Sequence, residues 1–461
     1  MIRAFAFALI ALVTLAAAPA QAMKIERVVS PGGIEAWLVQ ENEVPVIVMK
    51  LAFEGGSSQD PKDKAGLANM VSGLLDEGAG DLDSEAYQKR LEASAASLSF
   101  SDDRDDFTVS LKTLADKRDE AFALLGLALT KPRFDAEAVE RIRAQIASIV
   151  TRNLEDPNWI ASQAWFHAAL GNHPYAMPAE GTPQSIARIT RGDLVAYTKN
   201  IFARDRMKIA VVGPISPEEL GTLLDRTFGA LPAKAKLRPV PDVKVRGKPT
   251  TVVTKRPFPQ SVVVFGAQGL KRRDPDFIPA FVMNYVLGGG GFSARLTEEV
   301  REKRGLAYSV TTNLYPMRHA ALLLGGVGTK NASVGVSLEL IRREFARMAE
   351  GGVTDEELAD AKTYLTGSYP LRFDSNSKIA GQLLSIQQDN LGIDYIDRRN
   401  ALVDAVTKAD IARVAKRLLK SDSLIVSVVG EPDMTQKPIP PAGAPAAAAP
   451  SGPSESAPGF H

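Results

Sequence analysis

Hydrophobic and polar positions follow two periods along this chain, and their order recurs in its second half. Near the start, Glu26 to Ser30, Ile34 to Gln40 and Val46 to Glu54 are β-rich, with Pro31-Gly32-Gly33 as a turn. Ala95 to Ser101 and Asp106 to Lys112 alternate apolar with polar side chains, as a half-buried hairpin does. Helical periodicity predicts helices at 64–77, 84–93, 115–129, 135–155, 158–170 and 190–203. From residue 250 the pattern returns: strands at 250–255 and 260–269, helices at 275–287 and 293–304, strands at 307–316 and 320–327, then helices to about 420. Strands grouped between helices, without strict alternation, predict an α+β class. The expected architecture is two homologous domains, each a mainly antiparallel sheet with helices packed on one face.

The recurrence is visible residue by residue. Ile189-Thr190-Arg191-Gly192-Asp193-Leu194 opens a helical stretch that ends in the strand Met207 to Gly213. Val406-Thr407-Lys408-Ala409-Asp410-Ile411 opens another, ending in Leu424 to Gly430, and the two align without a gap. In each, a threonine is placed to cap the helix and a β-branched strand stops at glycine. A weaker match joins Asp135 to Val139 with Asp355 to Ala359. Between the copies, Leu231 to Pro241 has three prolines and no apolar period, which reads as an extended linker. The expected domains are therefore 23–230 and 250–436, joined by a linker at 231–249.

Both ends read as dispensable to the fold. Arg3, the apolar run Ala4 to Ala18 and the small-x-small site Ala20-Gln21-Ala22 have the form of a secretory signal peptide over 1–22. That run is shorter than the roughly 20 residues of a membrane span. The expected product is exported, with the periplasm as its compartment. From Lys437 to His461 the chain is rich in proline and alanine without periodicity, which reads as a disordered tail. The 461 residues suffice for two sizeable cores. A net charge of +1, with scattered Lys and Arg, gives no field for nucleic acid or an anionic membrane. The absence of cysteine from the sequence excludes disulfides, thiolate zinc sites and a cysteine nucleophile.

The segment Gly66 to Gly78 resembles the zinc-binding helix of the M16 (insulinase and mitochondrial processing peptidase) metallopeptidases. Active members carry His-x-x-Glu-His there; this chain reads Asn69, Met70, Val71, Ser72 and Gly73. By the same resemblance the third ligand, a glutamate on a later helix, falls at or beside Ile149, while Glu140 matches an upstream family glutamate. A zinc peptidase needs three protein ligands, an open position and a base. An amide, a hydroxyl, a glycine and an aliphatic side chain supply none of these. The four histidines, His167, His173, His319 and His461, do not pair at helical ligand spacing. There is no Gly-x-Ser-x-Gly elbow, and no Gly-Lys-Ser/Thr follows the run Gly288 to Gly291.

Other chemistry is retained. Leu287 to Leu296, followed by Val300 to Val310, is similar to the C-terminal segment of the M16B group. There the resemblance implies that an Arg, and a Tyr seven residues later, contact substrate in trans; the matching residues are Arg301 and Tyr308. An arginine and a phenol can hydrogen-bond a peptide carbonyl, and more strongly an oxyanion. Read from the residues alone, Arg301 is one of several solvated helix charges, beside Glu302, Lys303 and Arg304, and Tyr308 is a core residue. The glycine run can serve close approach, a hinge or a tight turn. The resemblance spans about residues 24–435. It implies a non-catalytic, substrate-binding subunit that binds no cofactor itself. Its partner would be a sister chain bearing His-x-x-Glu-His and the zinc, in a heterodimer or dimer of heterodimers, with unfolded peptides as substrates. The alternative is a stand-alone peptide-binding or structural M16-like protein of the cell envelope without protease activity.

Overall fold

In the computed structural model, which describes residues 23–435, the strands form two open sheets. The leader and the tail read from the sequence lie outside the described residues. The first sheet contains β1 (Glu26–Val29), β2 (Glu35–Gln40), β3 (Val46–Glu54), β4 (Ser97–Asp102), β5 (Asp106–Leu114) and β6 (Met207–Gly213), in the order β1-β2-β6-β3-β5-β4. The second contains β7 (Thr250–Lys255), β8 (Gln260–Gln268), β9 (Ala307–Tyr315), β10 (Leu322–Lys330) and β11 (Ile425–Gly430), in the order β7-β11-β8-β10-β9. Each sheet has one parallel pair, β2 with β6 and β7 with β11; the other neighbours are antiparallel. With β1 set aside, the two orders correspond strand for strand.

The helices of the first half are α1 (Leu67–Ser72), α2 (Ser84–Ala93), α3 (Arg118–Thr130), α4 (Ala136–Asn153), α5 (Pro157–Leu170), α6 (Pro183–Ala187), α7 (Arg191–Ile201) and α8 (Pro217–Phe228). Those of the second are α9 (Phe277–Asn284), α10 (Val334–Gly351), α11 (Asp355–Gly367), α12 (Asn376–Gln388), α13 (Tyr395–Asp404) and α14 (Lys408–Leu418). The two aligned copies start alike. Thr190 with Asp193, and Thr407 with Asp410, form reciprocal capping boxes at α7 and α14. Helix α8 lies outside the set read from apolar period, although Ser216 and Glu219 form the same kind of box at its start. The helix expected at 64–77 is regular only over α1. Gly66 precedes it in the left-handed region (φ 94), and irregular turns follow Gly73. The helix expected at 293–304 is a 3-10 turn, Gly291–Ser293, followed by a wider π turn, Thr297–Glu302.

One expectation needs enlarging: helices cover both faces of each sheet, and the second cover comes from the opposite half. The central strands dictate this. Ile209 and Val211 of β6 face one core, whereas Ala210 and Val212 face another. On β11, Val426 and Val428 face one core and Ile425 another. Strands apolar on both faces must be covered on both. Helix α12 crosses to the first sheet, packing Ile379, Ala380 and Leu383 with Trp37, Val48 and Val212. Helix α5 crosses to the second sheet, packing Trp165 and Ala169 with Leu322 and Ile425. Each crossing helix also donates one side-chain hydrogen bond to a central strand. Gln387 Nε2 donates to the Ile209 carbonyl at 2.9 Å, and Trp165 Nε1 to the Ile425 carbonyl at 2.9 Å. Gly266 makes room for the indole, since a Cβ there would lie 2.8 Å from Trp165 Cζ2.

Segment 231–249 has no helix or strand and is strapped to its surroundings by backbone bonds. The amide of Lys236 donates to Asn200, that of Val243 to His319, and that of Arg246 to Ala169. None of the described helices is long and apolar enough to cross a membrane.

A charged junction joins the halves at the β4–β5 turn. Arg318 Nη2 donates to Asp106 Oδ1 at 2.8 Å, and Arg318 Nη1 lies 3.1 Å from Glu54. Gln388 Nε2 donates to Asp106 Oδ2 at 2.9 Å, and the Tyr175 hydroxyl donates to Asp105. At the end of β4, Asp102 Oδ1 accepts from Asn69 Nδ2 at 3.2 Å, while Oδ2 is buried with no partner among the described residues. Burial, aided by the charges of Asp103 and Glu180, lifts the Asp102 carboxyl from its ordinary 3.8 to about 7.

Two outcomes follow from this packing. Trp165→Ala should cost about 3–5 kcal/mol, the range for a fully buried aromatic, in urea unfolding followed by circular dichroism. A loss below about 1 kcal/mol would contradict the crossing contact. Because the folded-state pKa of Asp102 is raised, its proton contributes stability that is complete below pH 3.8 and is lost as pH rises through about 7. Asp102→Asn should therefore leave the Tm near pH 4 unchanged and raise it at pH 8; an equal shift at both would show that the carboxyl is not the source.

Candidate functional site

The sequence positions compared with a metal site lie on α1, on Gly73 beside it, and on α4. Asp60 fixes the start of α1, accepting from the amides of Gly66 (2.9 Å) and Ala68 (3.0 Å). Leu67, Met70 and Val71 turn into the core, which leaves Asn69, Ser72 and Gly73 half-buried on the remaining face. The Asn69 amide is engaged by Asp102, and the Ser72 hydroxyl donates to the Asn69 carbonyl at 2.8 Å. A Cβ on Gly73 would lie 3.2 Å from Ile142 Cγ2, so an aliphatic side chain of α4 occupies the space beside it. Ile149 follows two turns later on α4 and is 41% exposed. Glu140, also on α4, is exposed and pairs with Arg143 at 3.2 Å. These residues do not fit a zinc ion. Among the described residues, no group of three His, Cys, Asp or Glu side chains could hold a metal.

Two of the four histidines, His173 and His319, have other partners. His173 is 8% exposed, its Nε2 is 2.8 Å from the Pro241 carbonyl oxygen, and burial lowers its pKa. His319 Nδ1 is 3.2 Å from Asp242. His167 lies on α5, and His461 is outside the described residues.

The structure brings Arg301 and Tyr308 together and adds a third member. The guanidinium lies 5.5 Å from the Tyr308 ring centroid and 4.8 Å from that of Phe292, within cation–π range of both. Tyr308 is 82% exposed and Phe292 72% exposed, so neither is a core residue. The neighbouring helix charges behave differently. Lys303 and Arg304 both pair at 2.7 Å with Glu299, which is 3% exposed, whereas among the described residues Arg301 pairs only with Glu302, at 3.3 Å. Arg301 is thus set apart from the charges beside it. Tyr308 stands near the start of β9, the outer strand of its sheet, whose far edge is unpaired.

Local backbone explains the arrangement. A Cβ on Gly288 would lie 2.4 Å from Thr312 Oγ1 and 2.9 Å from Thr312 N, so only glycine lets this turn lie against β9. After the π turn, Gly305 (φ 59) donates to the Arg301 carbonyl at 2.7 Å and reverses the chain into β9. Phe292 is the member the sequence did not single out. Its signal was present, since it directly follows the glycine run; only the 3-10 and π turns show that its ring meets Arg301. The group offers several N–H donors and one hydroxyl beside two exposed rings. It can hydrogen-bond a peptide carbonyl while covering an apolar side chain.

Residues 38–182 match the family model described as insulinase (peptidase family M16), and residues 188–365 match the one described as the peptidase M16 inactive domain. A non-peptidase homolog, YmxG, of Helicobacter pylori is 30% identical over 348 residues, covering 75% of this chain and 79% of that protein. A probable mitochondrial-processing peptidase subunit beta of Schizosaccharomyces pombe is 26% identical over 402 residues, covering 82% and 85%. The solved structure of a peptidase M16 inactive domain from Pseudomonas fluorescens superposes with a TM-score of 0.84 at 29% identity, covering 91% of this chain and all of that one. The chain belongs to the M16 peptidase family.

Proposed function

We propose that the chain is the non-catalytic, substrate-binding subunit of a heteromeric zinc metalloendopeptidase that cleaves unfolded peptides. The observation that carries this reading is the exposed Phe292–Arg301–Tyr308 group, kept intact in a chain whose metal positions are Asn69, Gly73 and Ile149. Two large aromatic rings on the surface are unfavourable to hydrate and are useful where a partner or substrate covers them. A sister chain bearing His-x-x-Glu-His would hold the zinc and the base. Arg301 would donate to a carbonyl of the bound peptide, and Tyr308 and Phe292 would hold an adjacent side chain. The names of two relatives support the division of labour: one is a non-peptidase homolog, the other a subunit of a processing peptidase. An extended substrate could add a strand to a sheet edge in the sister chain. With export through a leader at 1–22, the complex would work in the periplasm.

Reconstitution with the sister chain tests the roles separately. Arg301→Ala should lower kcat about 100-fold, the effect of removing one oxyanion donor, with the zinc content of the complex unchanged. Equal turnover would remove the assigned role. Phe292→Ala should raise KM several-fold, about as much as loss of one cation–π and apolar contact allows, with little change in kcat. A fall in kcat at constant KM would instead place Phe292 in the chemical step.

A further inference from the structure

A cavity of about 320 Å³ lies in the second half between α9, α12, α13 and the far end of β9. Neither Arg301 nor Tyr308 lines it. Its volume is in the range of small-molecule sites. Phe277, Phe281, Tyr369 and Tyr395 form aromatic walls. Three arginines, Arg272, Arg372 and Arg399, share the cavity with one carboxylate, Asp389.

That carboxylate already has a partner. Arg272 lies 3.4 Å from Asp389 and donates to the Tyr395 hydroxyl at 2.7 Å. Arg399 is in a different position. It is 5% exposed and stacks on Tyr369 (4.5 Å) and Phe281 (5.6 Å). Its Nη1 donates to the Leu365 carbonyl and to Asn400 Oδ1, and no carboxylate pairs with it among the described residues. Burial lowers its pKa, and the charges of Arg372 and Arg272 act in the same direction. A buried cation with no counter-ion is unfavourable unless an anion joins it. Asn284 supplies a second unmet need. It is 7% exposed, its Nδ2 donates to the Thr312 carbonyl at 2.9 Å, and its Oδ1 has no donor among the described residues.

We propose that this cavity binds the terminal carboxylate of an N-acylated residue with an apolar side chain, whether the end of a peptide or a free N-acyl amino acid. Arg399 and Arg372 would take the carboxylate, for which the guanidinium fork is suited. The amide N–H of the ligand would donate to Asn284 Oδ1, and the side chain would lie among the four rings.

Calorimetric titration of the full chain tests this with N-acetylphenylalanine, N-acetylphenylalanine amide, and an acetylated Leu-Leu-Phe tripeptide as the free acid and the amide. Both acids should bind and both amides should bind at least tenfold more weakly, about the effect of losing one charged hydrogen-bond pair. A tripeptide acid tighter than N-acetylphenylalanine identifies a peptide terminus as the source; the reverse identifies the free amino acid derivative. Arg399→Gln should abolish binding. Because Arg399 also holds the Leu365 carbonyl, Arg372→Gln at the exposed rim serves as the variant that leaves the fold intact, and it should weaken both acids about tenfold. Absence of binding by either acid at about 10 mM, equal binding of acid and amide, or unchanged affinity in Arg372→Gln would overturn the proposal. Failure would leave the reading of Arg301 and Tyr308 untouched, because neither residue touches this cavity.

Discussion

Two strands that are apolar on both faces govern this molecule. Neither β6 nor β11 can be covered by its own half, so each half lends the other a helix. Trp165 and Gln387 fasten the exchange by donating to carbonyls of the central strands. The halves are therefore parts of one packed structure, and segment 231–249 follows that packing rather than setting it. Removing surface from water on both faces of each sheet supplies the main stabilisation. Leu67, Met70 and Val71 of α1 and Ile142 and Ile146 of α4 belong to the main core of the first half. Apolar packing therefore holds both helices in place.

In the first half, the Ser72 hydroxyl donates to the Asn69 carbonyl, and the Asn69 side chain donates to Asp102. The second half keeps a group with no internal use. Glu299 pairs with Lys303 and Arg304 and so anchors the turn, while Arg301 projects between two exposed rings. Charges that stabilise the turn and a charge left available for a ligand are separated within four residues.

Much of this was legible in the sequence, and the exceptions have physical causes. The duplication was readable because Thr190 with Asp193, and Thr407 with Asp410, make the same local capping bond wherever the helix ends up. The β4–β5 hairpin was readable from alternation alone. Helix α8 escaped a search by apolar period although its capping box, Ser216 with Glu219, was in plain view. The destinations of α5 and α12 were not legible, since an apolar helix face does not say which sheet it will cover. At the site, Arg301 and Tyr308 could be named, but that they meet and that Tyr308 is exposed rather than core needed the structure. Phe292 was hidden because its approach depends on a π turn, and sequence periodicity does not distinguish that turn from an α-helix. The role of Gly288 likewise appears only where Thr312 lies against it.

The central claim is that this chain grips peptide and leaves the metal chemistry to another. The most direct measurement is zinc content and peptide cleavage of the purified chain, alone and after mixing with a family member that carries His-x-x-Glu-His. The account predicts no bound zinc and no cleavage from the chain alone, with cleavage of unfolded peptides by the mixture exceeding that of the zinc-bearing member by itself. One zinc per isolated chain together with proteolysis, or a mixture no more active than its zinc-bearing member, would contradict it.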